Sequence, residues 1–204
     1  RFRILSEIIL RSRERVGNYP ILVKYSASDG DKDGIRLDES MRIAEMLQRC
    51  GYDAIEVSCG GVDDRYNAVR VQKIPMDAIF ALVPWFSSIS KPKKVIMKIL
   101  GTLLIKPRSP LNNYNVDAAA AIKKTVDIPI IVVGGFRRLK DMKNIISENK
   151  VDYISMSRPF IIEPGIVQKF KSGAQDESKC INCGYCLLGV TGSKLRCYYG
   201  KAKV

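Results

Sequence analysis

An alternation of short β-branched runs with amphipathic helical segments constrains this chain most. The run ILVKYS (21–26) precedes a helical pattern over 37–50. There Met41, Ala44 and Leu47, with Ile43, Met46 and Cys50, recur at helical spacing until Gly51. AIEVS (54–58) reads as a second strand, and IPIIVVGG (128–135) and VDYISM (151–156) as a third and fourth. Helical patterns cover 116–126, 139–149 and 163–173. Strands separated by helices of roughly 10–15 residues build βαβ units, a parallel sheet covered by helices. IPIIVV is apolar on both faces, as a buried parallel strand requires. Ahead of these units Phe2, Leu5, Ile8, Ile9 and Val16 form an apolar stripe that ends at Gly17 and Asn18 before Pro20. The stripe begins at Arg1 with no N-cap before it, so the natural polypeptide is expected to continue upstream.

With 204 residues, 46% hydrophobic and 27% charged, the chain can bury one sizeable core but not two large ones. It has no histidine, which excludes a Ser-His-Asp triad, a His-ligated metal hydrolase and a histidine general base. No apolar run reaches the length of a membrane span or has the form of a secretory signal, so a cytoplasmic protein without membrane partners is expected.

Lys plus Arg number 34 against 21 acids, a net charge of +13. Between Ala78 and Val116 there are Lys91, Lys93, Lys94, Lys98, Lys106 and Arg108 and no acid. Nucleic acid, anionic lipid or a phosphorylated ligand would suit such a stretch, and so would a solvated helix face. Only Trp85 and Phe86 offer stacking surfaces nearby and no nucleic-acid motif accompanies them, so a solvated face is expected and a nucleic-acid partner is not.

Two constellations carry chemistry. Gly134 and Gly135 are expected to terminate the third strand, and Ser157 and Arg158 the fourth, with Pro159 stopping its continuation. Parallel α/β folds bind ligands beyond the carboxyl ends of their strands. Paired glycines let a phosphate reach backbone N–H groups, and an arginine one strand over can pair with it. A tight turn alone would also explain the glycines. The second constellation is CINCGYCLLGVTGSKLRC, which spaces Cys180, Cys183, Cys186 and Cys197 as C-x2-C-x2-C-x10-C. Structural zinc sites present two separated C-x2-C pairs, whereas three close cysteines and one remote one suit a [4Fe–4S] cubane. The cluster is therefore expected over zinc or a metal-free reduced set. Cys50 and Cys59 are expected to be small buried hydrophobes. Lys24, the one charge in its strand, needs a partner if buried: either a bound anionic group or a route for its head to the rim.

In order, RFRILSEIILRSRERVG, ILVKYSASD, GYDAIEVSCGG, DIPIIVVGGF and VDYISMSRPFIIEP resemble the second half of the old yellow enzyme family of FMN-dependent oxidoreductases, a (β/α)8 barrel. The resemblance breaks between Val62 and Asn112. The cysteine tail is similar to that of the iron–sulfur subgroup, which includes 2,4-dienoyl-CoA reductase and trimethylamine dehydrogenase. The resemblance implies that the strands are the fifth to eighth of a TIM barrel. Residues 1–172 would be the second half of the flavin domain, with a basic insertion over 62–112, and 173–204 the cluster-binding tail. Lys24, where the family carries arginine, would face the flavin pyrimidine. Gly134, Gly135, Ser157 and Arg158 would hold the FMN phosphate, with serine in place of a family glycine, and Cys180, Cys183, Cys186 and Cys197 would ligate the cluster.

The implied activity is NAD(P)H-dependent reduction of an unsaturated carbonyl or similar small acceptor through FMN, with the cluster relaying electrons. The family's substrate-orienting and proton-donating residues belong to the missing half or to variable loops. Four strands cannot close an eight-stranded barrel, so the expected partner is the missing N-terminal half or a second copy of the chain. A different class remains open: a non-catalytic α/β module stabilised by zinc or a cluster, with a basic docking surface. So does a phosphate-binding barrel isomerase or aldolase with Lys24 as a Schiff-base candidate, which would leave the cysteines without a role.

Overall fold

The computed structural model describes residues 3–30, 33–61, 69–107, 109–190 and 194–200. Phe2 and Arg108 lie outside them, as does the start of the basic region, 62–68. The described chain forms two compact units, each discontinuous in sequence. One comprises 1–68, 113–136 and 140–155, the other 69–112, 137–139 and 156–204. This partition cuts across the division at 172/173 suggested by the sequence, because most of the basic insertion lies in the same unit as the cysteine tail.

The first unit is built on a four-stranded sheet, β1 (Leu22–Ser26), β2 (Ala54–Ser58), β3 (Ile130–Val133) and β4 (Tyr153–Ser155), parallel throughout and in sequence order. Register places Lys24 beside Glu56, Glu56 beside Ile131, and Ile131 beside Tyr153, so these four share one face. The other face carries Val23, Tyr25, Ile55, Val57, Ile130 and Val132. Ile55, Val57, Ile130 and Val132 are fully buried, together with Leu47 of α2 (Leu37–Arg49) and Ile122 of α6 (Val116–Lys123). On the Lys24 face Leu22 is 53% and Tyr153 59% exposed. The helix-covered face therefore holds this unit's core.

Local chemistry at the amino ends of the strands repeats. Asp53, just before β2, accepts a hydrogen bond from the Ile21 N–H at 2.6 Å and pairs with Arg13 of α1 (Arg3–Val16). Asp152, just before β4, accepts from the Ile130 N–H at 2.8 Å and pairs with Lys123 at 2.5 Å. Each carboxylate thus ties the start of one strand to that of its neighbour. The Ile21 N–H and the Arg13 guanidinium hold the Asp53 carboxyl below its ordinary range. Burial works to raise Asp152, but the Ile130 N–H and Lys123 outweigh it, and its carboxyl is also held low. Of the expected apolar stripe on α1, Ile9 is buried, while Ile8 and Val16 stay about half exposed.

The second unit is helical: α3 (Met76–Leu82), α4 (Pro84–Ser87), α5 (Lys91–Leu104), α8 (Arg158–Ile162), α9 (Ile166–Lys171) and α10 (Tyr185–Gly189). The 62–112 interval, which the sequence leaves without elements, thus contains three helices. Val71, Ile74, Met76 and Phe80 form their core, with Phe86, Met97 and Ile105 packed against it. A Cβ on Gly101 of α5 would stand 2.8 Å from the Met76 sulfur, so glycine is what lets α5 approach so closely. The remaining helix, α7 (Leu139–Ser147), follows β3. Among the described residues no helix is long and apolar enough to cross a membrane.

Candidate functional site

Cys180, Cys183, Cys186 and Cys197 line one pocket in the second unit, together with Arg158 and Gly184. Cys186 sits on α10, which starts after Gly184 in the left-handed region at φ +78°. A Cβ there would be strained and would press on Val71 at 2.7 Å. Cys197, separated from Cys186 by ten residues, returns through Tyr198, which is 4% exposed. The Tyr198 ring packs so closely on Gly189 that any Cβ at that glycine would overlap it, and its hydroxyl donates to the Lys194 carbonyl at 2.6 Å. The remote cysteine is thus placed by packing of a tyrosine on a glycine.

The sulfurs sense one another. Burial pushes the Cys183 thiol up, the Tyr185 N–H partly offsets this, and the neighbouring Cys197 and Cys180 push it further. Burial also raises Cys186, opposed by Arg158 and reinforced by Cys180 and Cys183. A set of thiols that resists ionisation by itself becomes a set of thiolates when cationic metal neutralises it. Among the described residues no group of three or more His, Cys, Asp or Glu is arranged to hold a single metal ion.

Two buried charged residues, neither singled out by sequence reasoning, hold the first arm of this pocket. Glu163, 6% exposed, accepts hydrogen bonds from the Lys179 N–H at 2.7 Å, the Ser178 hydroxyl at 3.2 Å and the Lys169 ammonium at 3.0 Å. Burial would raise its carboxyl, but the Lys179 N–H, Lys169 and Gln175 together lower it from 4.5 to about 2. Arg137, also 6% exposed, donates through Nε to the Cys180 carbonyl at 2.9 Å and through a terminal nitrogen to the Asn182 side chain. Asn182 itself holds a left-handed turn at φ +58°. The segment from Ser178 to Asn182 is fixed by a carboxylate at its start and a guanidinium along its length. Arg137 follows Gly134-Gly135-Phe136 directly, and that adjacency was the one signal available in the sequence.

The remaining expected site residues take up other surroundings. Gly134 and Gly135 lie in the first unit, just past the end of β3. Gly135 adopts φ +75°, where glycine carries no penalty. A Cβ on Gly134 would stand 3.0 Å from the Asn115 amide and 3.1 Å from the Tyr114 ring. The glycine there has a packing reason of its own. Ser157 and Arg158 belong to the second unit and do not end a strand. β4 stops at Ser155, Ser157 precedes α8, and Arg158 opens it with Pro159 in the first turn, where proline's missing N–H costs nothing. The Arg158 guanidinium donates to the Arg70 carbonyl at 2.9 Å.

Lys24 is exposed at 54% and pairs with Glu56 of the neighbouring strand at 3.0 Å, so protein supplies its partner. Cys59 is buried as expected, whereas Cys50 caps the carboxyl end of α2 and is only half buried.

Residues 96–177 match the NADH:flavin oxidoreductase / NADH oxidase family. The chain is 30% identical over 202 residues to an NADH oxidase of Thermoanaerobacter brockii, covering 97% of this chain and 26% of that protein. It is 24% identical over 170 residues to a 4,4'-dithiodibutanoate disulfide reductase of Rhodococcus erythropolis, covering 82% of this chain and 40% of the relative. The chain thus spans between about a quarter and two fifths of these curated relatives. Among solved structures, 2-naphthoyl-CoA reductase in complex with 2-naphthoyl-CoA superposes with a TM-score of 0.68 at 18% identity, over 96% of this chain and 25% of that one. Histamine dehydrogenase from Rhizobium sp. 4-9 gives 0.68 at 17% identity, over 96% and 23%. The family match and the curated relatives are similarities to NADH:flavin oxidoreductases over part of their length, and the solved structures show an α/β fold shared with part of much longer chains.

Proposed function

We propose that this chain is the second half of a flavin-dependent NAD(P)H oxidoreductase barrel of the old yellow enzyme type, and that its cysteine pocket holds a [4Fe–4S] cluster. The convergence of Cys180, Cys183, Cys186 and Cys197 on one pocket carries the reading. Its sulfurs are near enough to raise one another's pKa, and three close cysteines with one remote one suit a cubane's dispersed ligands better than the two separated pairs of a structural zinc site. The half-barrel is supported by a parallel sheet in sequence order, whose outer strands β1 and β4 have no further neighbour among the described strands. Leu22 and Tyr153 remain exposed on the face opposite the helices. The other half of the barrel would supply the neighbours and the filling for that face.

In this reading Gly134, Gly135, Ser157 and Arg158 contribute to the FMN phosphate site and Lys24 to the pyrimidine side. Gly135, at φ +75°, carries no Cβ that would stand between a phosphate and its backbone N–H. Lys24 offers a positive charge already shared with Glu56, and so a weaker one than an unpaired arginine would offer. FMN, when bound, supplies hydride transfer between NAD(P)H and a small electron-poor acceptor such as an unsaturated carbonyl, and the cluster supplies one-electron relay. The chain's own residues bind and orient: Glu163 and Arg137 hold the Cys180–Cys183 arm, and the Gly189–Tyr198 contact holds Cys197.

The test is anaerobic purification of the polypeptide that contains this chain, followed by iron, zinc and flavin analysis and absorption spectra before and after Cys183→Ser and Cys186→Ser. About four irons per chain and flavin absorption near 450 nm are expected. Loss of iron with flavin retained is expected in the serine variants. Zinc in the cysteines and no flavin would sink the reading.

A further inference from the structure

Helix α5 combines features that the flavin reading does not use. Its packed edge is narrow. Met97 and Gly101 face the core of the second unit, Lys98 pairs with Asp77 at 2.8 Å, and Lys94 lies over the Phe80 ring at 5.8 Å. At 100° per residue these four fall on one side of the helix. The opposite half carries Val95, Ile96, Ile99, Leu100, Leu103 and Leu104. They are between 47% and 76% exposed, and no residue of this helix is buried. A solvated helix face presents polar groups outward; this one presents aliphatic side chains. The expectation of a solvated face describes its lysines only.

Charge decides what would cover such a face. Lys91 and Lys93 are exposed; on the helical wheel Lys91 borders the aliphatic half beside Val95, and Lys93 lies at its other edge between Leu100 and Leu104. Lys106 follows, also exposed, and no acid occurs between Ala78 and Val116. Trp85, the single tryptophan of the chain, precedes the helix at 86% exposure, more than any other large hydrophobic among the described residues. Aliphatic residues on one side, lysines at the border and an exposed tryptophan form the pattern of a helix lying in the plane of a lipid interface. At 14 residues α5 is too short to span a bilayer.

We propose that α5 and Trp85 form a peripheral docking surface for an anionic lipid bilayer, with Val95, Ile99 and Leu103 entering the acyl boundary and Lys91 and Lys93 at the headgroups. This revises the expectation that the protein has no membrane partner. It is independent of the flavin reading, because it requires neither cofactor nor cluster.

Trp85 makes the test direct. The chain is mixed with vesicles of phosphatidylcholine alone or with 30% phosphatidylglycerol, and sedimentation and tryptophan emission are followed. Binding to the anionic vesicles with a blue-shifted Trp85 emission is expected, weakened by salt. Replacing Lys91 and Lys93 by Gln should weaken it about tenfold or more. The double variant Ile99→Glu, Leu103→Glu should abolish binding while leaving circular dichroism unchanged, since both side chains point to solvent. Absence of binding to anionic vesicles would overturn the proposal, as would equal binding to both vesicle types. So would a sedimenting dimer that the double variant dissociates while vesicles have no effect, because a second copy would then be the occupant.

Discussion

Replacing Glu163 by Gln tests whether a buried carboxylate holds the cysteine arm. In the folded chain the carboxyl is lowered from 4.5 to about 2, a shift worth roughly 3 kcal/mol at 1.36 kcal/mol per unit. Lys169 is 43% exposed, so solvent screens its share, and about 2 kcal/mol is the working figure. A hydrogen bond to a charged acceptor is worth a similar amount, about 1.5–3 kcal/mol, and the N–H of Lys179 makes one. Because the folded pKa is depressed, this stability is fully present above the ordinary 4.5 and is lost as pH falls through that value toward about 2. The glutamine variant lacks this dependence. Urea unfolding at a series of pH values should show wild type ahead by about 2 kcal/mol at neutral pH, with the two converging toward about pH 2. At neutral pH the apo variant should also expose Cys180 to faster thiol labelling. A gap that persists undiminished in acid, or labelling unchanged at every cysteine, would refute the reasoning.

Arg137→Gln leaves the Cys180 carbonyl without its guanidinium partner and should lower iron content and shift the midpoint potential, with Arg137→Lys restoring part of both; equal loss in the two variants would mean that Arg137 acts only in folding. Gly189→Ala should displace Tyr198 and with it Cys197; if the pocket holds the proposed cluster, iron content should fall while the Asp53 and Asp152 ties are unaffected. Asp152→Asn should cost about 1 kcal/mol at neutral pH, read by thermal melts, and the difference should vanish below the carboxylate range because the folded carboxyl is the depressed one. Glu56→Gln removes the partner of Lys24; if Lys24 faces flavin, the flavin absorption band and its midpoint potential should move, and an unchanged spectrum and potential would detach Lys24 from the cofactor.

The strands and their flanking helices were legible because their signals are local: β-branched runs, helical spacing and glycine stops within a dozen residues. The ends of elements were less so. VDYISM suggested a strand reaching Met156, but pairing with β3 ends at Ser155, and Arg158 belongs to a helix start rather than a strand end. The cysteine quartet was legible from spacing. Its supports were not, since Glu163 and Arg137 act on residues 16 and 43 positions away, and only the glycines before Arg137 set either of them apart locally. The three helices between Val69 and Asn112 are not legible locally, because Pro75, Pro84 and Pro92 punctuate the segment and lysines interrupt its apolar residues.

The βαβ alternation, the parallel sheet it entails, and a set of four thiols among six cysteines in a chain without imidazole are properties of the amino-acid sequence itself. Each follows from periodicity or composition, properties a chain carries before it folds. Tertiary structure alone decided which charges found partners: Lys24 meets Glu56 only through strand register, across 32 positions. It also decided that the aliphatic side of α5 turns outward while Met97 and Gly101 turn in. A helical pattern specifies that an apolar face exists; whether another element covers it is a property of the packed chain.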